Sequence, residues 1–347
     1  MAMTEKTLTR IKAFRKPTTI TILFCISVGT TFIPILASGF NPLSVYYFML
    51  YGAIGSLKSI AISLNETTPL LFCSLGLVIA FRCGVWNIGA EGQLYMGAAG
   101  ATIVGLFLKG IPTPLHLLLV FVASFIGGGL WGGIAGFLRV RYSVNEIICT
   151  LLMNFVAFWI ITYLVHFPLR GTLAHNPVTD YIAETARLPI ILPGTALHAG
   201  ILIVLALSFV VWFVLQRTVL GYRIKAVGSN PEASLYAGIP VHRIMVVSMI
   251  LSGGIAGLAG MGQVAGVHYL LMQKMSFSYG YFGILVALLG RLNPFGVIPS
   301  SLFLGILLTG GHFVQATLGI PNTIAFLIIG IIILVSLLES SIEKLFS

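Results

Sequence analysis

Residues 84–97 read GVWNIGAEGQLYMG, with Asn87, Glu91 and Gln93 set among glycines between two long apolar runs. Smooth transmembrane helices do not look like this. A carboxylate and two amides beside glycine-broken backbone are tolerated at membrane depth only where protein or water satisfies them. The stretch therefore marks either a substrate pathway or a tightly satisfied structural knot. Either reading makes the chain a helical membrane protein with broken or re-entrant segments.

Composition points the same way. Of 347 residues, 58% are hydrophobic and only 8% charged, whereas soluble domains carry about 25% charged residues. Mean hydropathy is +1.04. The net charge of +10 is concentrated at the borders of apolar runs, which is the membrane-topology pattern and argues against a nucleic-acid partner. Cys25, Cys73, Cys83 and Cys149 stand singly on apolar runs, without metal-ligand spacing, as small buried hydrophobes do.

The expected fold is an all-α polytopic bundle of about ten transmembrane helices forming a single domain over residues 1–347. Spans are expected near 18–40, 66–82, 88–108, 115–138, 145–167, 198–216, 244–265, 279–290, 296–314 and 321–338. The basic N-terminus, 1–17, carries Lys6, Arg10, Lys12, Arg15 and Lys16 and is expected in the cytoplasm, as is the C-terminus. The apolar run behind it is longer than a usual signal-peptide core, so an uncleaved first span is expected. Arg139, Arg141, Arg217, Arg223, Lys225, Arg243 and Arg291 then fall inside, while Lys58, Lys109, Arg170, Arg187 and Lys274 fall outside. Residues 43–63 read better as an amphipathic or partly inserted outer segment than as a full span, because they hold Gly52, Gly55 and Lys58. The run at 279–290 is short for a span, and either begins earlier or is half of a broken helix. Glycines repeat every fourth residue at Gly128, Gly132 and Gly136, at Gly129 and Gly133, and at Gly253 and Gly257, a pattern that lets helix backbones approach closely.

The loop at 217–243 contains a second signal. Ser229 and Glu232 have capping-box spacing, and Asn230-Pro231 offers an alternative N-cap with proline at the first helical position. Gly238 can close the helix and Pro240 prevents its continuation. A pinned helix of about two turns results, either an ordinary capped loop or a stiff handle for another protein.

NIGAEGQLYMGA (87–98), VNEIICTLLMN (144–154), GSNPEASLYAGI (228–239) and GILVALLGRLNPFG (283–296) occur in this order. Over roughly residues 60–335 the chain resembles bacterial ABC-transporter permeases of the branched-chain amino acid and simple-sugar group, most closely the longer permease subunit of nucleoside importers. The resemblance implies an ATP-driven importer in the bacterial inner membrane. Its partners would be ATPase subunits carrying ATP and Mg, an extracellular substrate-binding protein or lipoprotein, and a second, related permease, with a heterodimer favoured. It also implies that the handle is a cytoplasmic coupling helix, with Gly228, Asn230, Pro231, Ala233, Ala237 and Gly238 as coupling positions. Ser234 stands where a second alanine is common. The sequence has no glycine-rich phosphate loop ending in Lys-Ser or Lys-Thr, so no catalytic residue, cofactor or metal is expected on this chain.

The expected substrate pathway comprises Trp86, Asn87, Glu91, Gln93, Asn154, Tyr279 and Phe282. Trp86 offers a stacking face or an interfacial anchor. Asn87 and Gln93 pair donors with acceptors, which suits a neutral polar solute. Glu91 either accepts from a substrate, caps a half-helix, or pairs with Arg82. Asn154 is an amide at depth, where a lone one is costly. Asn145 is read as an N-cap with Glu146 in the first turn. No chemistry is assigned to His116, His166, His175 or His198. Rival classes are a secondary transporter coupled through Glu91 or Glu146, a passive channel, and a membrane enzyme, for which no convincing second catalytic group accompanies Glu91.

Overall fold

The structure, a computed structural model, describes residues 29–37, 39–172, 176–320, 326–328, 330, 331 and 334. The basic N-terminus, Cys25, His175, and most of the spans expected at 18–40 and 321–338 lie outside these residues. The described elements are helical. They are α1 (Gly29–Ala37), α2 (Pro42–Ile54), α3 (Leu57–Arg82), α4 (Ala90–Phe107), α5 (Thr113–Tyr142), α6 (Glu146–His166), α7 (Gly200–Arg217), α8 (Val219–Ser229), α9 (Pro231–Tyr236), α10 (Val241–Met261), α11 (Tyr279–Leu289) and α12 (Val297–Leu318). A π-helical turn, Gly262–His268, extends α10.

Among the described residues six helices are long and apolar enough to cross a membrane, or up to seven if α1 and α2, bent by 108°, form one span. The sequence-based figure of about ten is not confirmed among the described residues, which leave out most of two of the expected spans. α4 has 18 residues, but Glu91, Gln93 and Tyr95 dilute its first turns. α11 has only 11. The segment at 43–63, expected to be amphipathic or partly inserted, is α2, apolar on all sides, followed by the first turns of α3.

The described residues fall into two compact units, one drawn from 1–60 and 306–347 and one from Ala61–Gly305. In the first, Gly52 of α2 abuts Phe313, and the Tyr51 and Phe313 rings lie 6.1 Å apart. The second contains the polar stretch. Its centre is α4, α5 and α10, packed backbone to backbone through the predicted glycines. A Cβ on Gly128 would lie 2.7 Å from the Cα of Gly257, and one on Gly253 3.1 Å from the Cα of Gly132. Without a hydrophobic drive between helices in lipid, such close contact is what holds them. α6 turns most of one face outward, with Phe155, Trp159 and Tyr163 exposed.

α3 tolerates Pro69 inside it. Proline removes one helical donor, and nearby Thr67 and Thr68 turn their hydroxyls back to the carbonyls of Ser63 and Leu64 at 2.7 and 2.8 Å. Between α6 and α7, residues 179–188 pair with the chain at the end of α10. Thr179 N–H donates to Leu271 at 3.1 Å, Ile182 N–H to Tyr269 at 2.9 Å and Leu188 N–H to Ala265 at 2.8 Å. Further along the same connection, His198 is fully buried.

Candidate functional site

α3 stops because Gly84 adopts a left-handed φ of +75°. The Gly84 N–H bonds Phe81 at 3.1 Å and the Val85 N–H bonds Ala80 at 3.0 Å, the Schellman pattern that closes a helix with glycine. Four residues of irregular chain, 85–88, then lead to Gly89, the N-cap of α4, which has no side-chain cap bond of its own. Backbone groups in this interval need partners from elsewhere.

Side chains supply them. Asn87 Oδ1 accepts from Gly89 N–H at 2.9 Å and from Gln93 Nε2 at 3.1 Å, while Asn87 Nδ2 donates to Gln93 Oε1 at 3.0 Å and to Ser252 of α10 at 2.9 Å. Thr150 Oγ1 accepts from Ile88 N–H at 3.1 Å. Asn154 serves both sides of the helix start: its Oδ1 accepts from Gly92 N–H at 2.8 Å, and its Nδ2 donates to the Ile88 carbonyl at 2.9 Å. Nδ2 also donates to the Tyr281 hydroxyl at 3.1 Å. Asn87, Gln93 and Asn154 are all buried.

α11 begins against this knot. Glu91 Oε2 accepts from Gly280 N–H at 2.8 Å, and a Cβ on Gly280 would overlap the backbone of Glu91. Glycine is therefore required where the two helix starts meet. The preceding side chain, Tyr279, donates its hydroxyl to Glu66 of α3 at 2.7 Å. Consecutive residues of α11 are thus held by carboxylates from two helices. Phe282, on the same turn, is half-buried. Asn87, Glu91, Gln93, Asn154 and Tyr279 all join the two helix starts to their neighbours. Trp86 is 47% exposed and packs on Phe81, with ring centroids 5.0 Å apart. Arg82 does not reach Glu91; its Nε donates to the Leu292 carbonyl at 3.0 Å.

Sequence reasoning passed over Glu66, Ser252 and Thr150. For Glu66 a signal existed, an acid inside an apolar run three residues before a proline. Ser252 and Thr150 gave none, since lone hydroxyls on apolar helices commonly bond their own backbone. At the far end of α5, Glu146 pairs with Arg139, and Asn145 caps α6 by accepting from Ile147 N–H at 3.0 Å. Among the described residues no cluster of three or more His, Cys, Asp and Glu forms a metal-binding set.

α9 has six residues. Of the two caps open in the sequence, Asn230 is used: its Oδ1 accepts from Ala233 N–H at 3.0 Å, with Pro231 at the first helical position. Ser229 instead bonds back to the Lys225 carbonyl at 2.8 Å. Gly238, φ +77°, closes α9 with bonds to Leu235 at 3.0 Å and from Ile239 to Ser234 at 2.9 Å. Leu235 and Tyr236 are 65% and 93% exposed.

Helices long and apolar enough to cross a membrane, with a broken, polar helix entry among them, define a multi-pass membrane protein. The chain belongs to the family described as branched-chain amino acid transport system / permease component, whose model matches residues 59–337. It is 35% identical over 305 residues to the guanosine ABC transporter permease protein NupP of Bacillus subtilis, covering 86% of each chain. It is 31% identical over 325 residues to the glucose ABC transporter permease protein TsgB13 of Haloferax volcanii, covering 91% of this chain and 85% of the relative. To the nucleoside ABC transporter permease protein NupB of Lactococcus lactis it is 31% identical over 302 residues, covering 84% and 82%. No solved structure matches the chain. Family membership makes it a transport subunit that works, in general terms, with ATPase and substrate-binding partners.

Proposed function

We propose that this permease carries nucleosides into the cell, and that its α4–α11 junction borders the translocation pathway. The observation that carries the substrate assignment is the 35% identity, over most of both chains, to a permease named for guanosine. The site chemistry agrees: amides, hydroxyls and carboxylates with aromatic neighbours suit an uncharged solute bearing donors and acceptors. Glu91, Asn154, Tyr279, Phe282 and Trp86 flank the route, while Asn87 and Gln93 hold the broken backbone in shape. The chain sits in the bacterial inner membrane with both termini and the α8–α9 loop in the cytoplasm, in keeping with Arg217, Arg223, Lys225 and Arg243 on that loop. There α9 docks on an ATPase subunit, which binds ATP and Mg. Positions Gly228, Asn230, Pro231, Ala233, Ala237 and Gly238 set its shape, and Leu235 and Tyr236 present an apolar tip. A second, related permease completes the pathway, and a binding protein or lipoprotein delivers the solute.

The test is reconstitution of the complex, purified through this chain, into liposomes with the binding protein and labelled guanosine. ATP-dependent accumulation that excess uridine or glucose blocks unequally defines the substrate. Accumulation without ATP would instead favour a secondary transporter.

A further inference from the structure

α8 and α9 share a joint one residue long. Asn230 ends α8, its N–H bonding the Ala226 carbonyl at 3.0 Å, and the same residue caps α9. No loop is available there to absorb movement, so a displacement of α9 passes into the last turn of α8. Gly228 lies in that turn, pressed against the end of α3. A Cβ at Gly228 would overlap the Arg82 carbonyl oxygen and lie 3.1 Å from the carbonyl carbon of Cys83, and one at Gly84 would lie 3.3 Å from the Cα of Gly228. The contact is backbone on backbone. It falls on the Schellman cap whose next residues are the irregular stretch leading to Glu91. α8 is itself braced on the other side, since a Cβ at Gly221 would lie 2.5 Å from the Cα of Leu215 in α7.

We propose that the Gly84–Gly228 contact is where displacement of α9 reaches the broken entry of α4, which makes both glycines positioning residues for coupled transport. The inference rests on the reading of α9 as the ATPase-docking helix. Side chains at such a contact would yield by changing rotamer; two glycine backbones cannot, so motion of one must displace the other. The moving part beyond it is short and bounded. It runs from the Gly84 cap to the Asn87 and Asn154 hydrogen bonds, which can break and re-form without unfolding a helix.

The experiment uses the reconstituted transporter and reads ATP hydrolysed per solute imported for Gly84→Ala, Gly228→Ala and the double variant, with Ser229→Ala, whose exposed hydroxyl bonds only its own helix, as the control in the same turn. If the contact transmits displacement, each single variant raises that ratio by roughly 5-fold or more, and the double variant is no worse than the more severe single one, because both cut one interaction. Hydrolysis and import falling in proportion, multiplicative effects in the double variant, or unchanged import would each overturn the proposal. Should the variants fail to assemble, hydrogen exchange on the unmodified complex decides. Amides 85–89 change protection on binding a non-hydrolysable ATP analogue if the proposal holds, and no change refutes it. Retention of the ATPase by Tyr236→Ala in co-purification refutes the docking reading itself. Loss of the ATPase with normal coupling in the glycine variants refutes only the transmission step.

Discussion

Replacing Asn154 with alanine removes three hydrogen bonds at once, to Gly92 N–H, the Ile88 carbonyl and Tyr281. The first two partners are backbone groups flanking the start of α4 and have no helical alternative. A buried backbone group left without a partner costs about 1–3 kcal/mol, so the two together cost roughly 2–6 kcal/mol. For a unit the size of Ala61–Gly305, 1 kcal/mol corresponds to about 2–4 °C, which puts the expected loss in melting temperature at about 5 °C or more. Thr162→Ala on the same helix is the comparison, because its hydroxyl bonds only its own helix, to Phe158 at 2.9 Å. Asn154→Asp separates packing from bonding. It keeps an acceptor for Gly92 but turns a second oxygen toward the Ile88 carbonyl, so it should remain well below the native protein despite equal size. Thermal unfolding in detergent, followed by the accessibility of buried cysteines, reads all three. If Asn154→Ala loses no more than Thr162→Ala, or Asn154→Asp melts with the native protein, the account of the broken entry as a backbone knot held by Asn154 is wrong.

Tyr279→Phe deletes the donor to Glu66 without changing shape, and a buried hydrogen bond is worth about 0.5–1.5 kcal/mol; import should fall several-fold while yield in detergent holds, and unchanged import would remove Glu66 from the working site. Tyr236→Ala trims the most exposed aromatic on α9 and, as an interface anchor, should cost at least ~2 kcal/mol, about 30-fold in affinity for the ATPase subunit measured by titration in nanodiscs. His198 gives a pH signature outside the spans: burial lowers its pKa from 6.5 to about 4, so the fold prefers the neutral ring. Its contribution is complete above about pH 6.5 and is lost as pH falls toward 4, amounting to about 3 kcal/mol. The melting temperatures of native protein and His198→Asn should therefore converge over that interval, and parallel curves would refute the assignment.

The sequence made some features legible and hid others for identifiable reasons. The capped helix at 231–236 could be read residue by residue because its signals are local: an Asx cap, proline at the first position, glycine at the end. The glycine repeats on α5 and α10 likewise announced a close contact, and the structure places them against each other. Span number was less legible. A hydropathy rule treats Ala90–Phe107 and Tyr279–Leu289 as it treats any run, yet one is polar at its start and the other too short to cross. Their starts meet, and that fact depends on the packing of residues almost two hundred positions apart. The partners of the polar stretch were hidden for the same reason. Asn87, Glu91 and Gln93 stood out by type, and Glu66 could have done so as an acid in an apolar run, but Ser252 and Thr150 are chosen by tertiary geometry, and nothing within a window of sequence distinguishes them from other hydroxyls.

Glu91 shows why two of its sequence readings, substrate acceptor and helix cap, need not exclude each other. α4 and α11 begin within contact distance, so two helix starts with exposed N–H groups and partial positive charge face one region. A carboxylate in the first turn of one, bonded to the second N–H of the other, offsets both. The capping role is thus real, but it serves the neighbouring helix more than its own. The cap is also conditional. It exists only while α11 rests on α4, and Gly280 allows them to rest together with no side chain between. A displacement that parts the two starts would uncover, side by side, an acceptor at Glu91 and a donor at Gly280, with the Asn154 amide and the Tyr281 hydroxyl next to them. A neutral solute carrying both donors and acceptors can replace the lost bonds one for one, whereas an anion would meet the carboxylate and an apolar molecule would leave every group unpaired. If the junction borders the pathway as proposed, selectivity for uncharged polar cargo follows from the bond that keeps it closed.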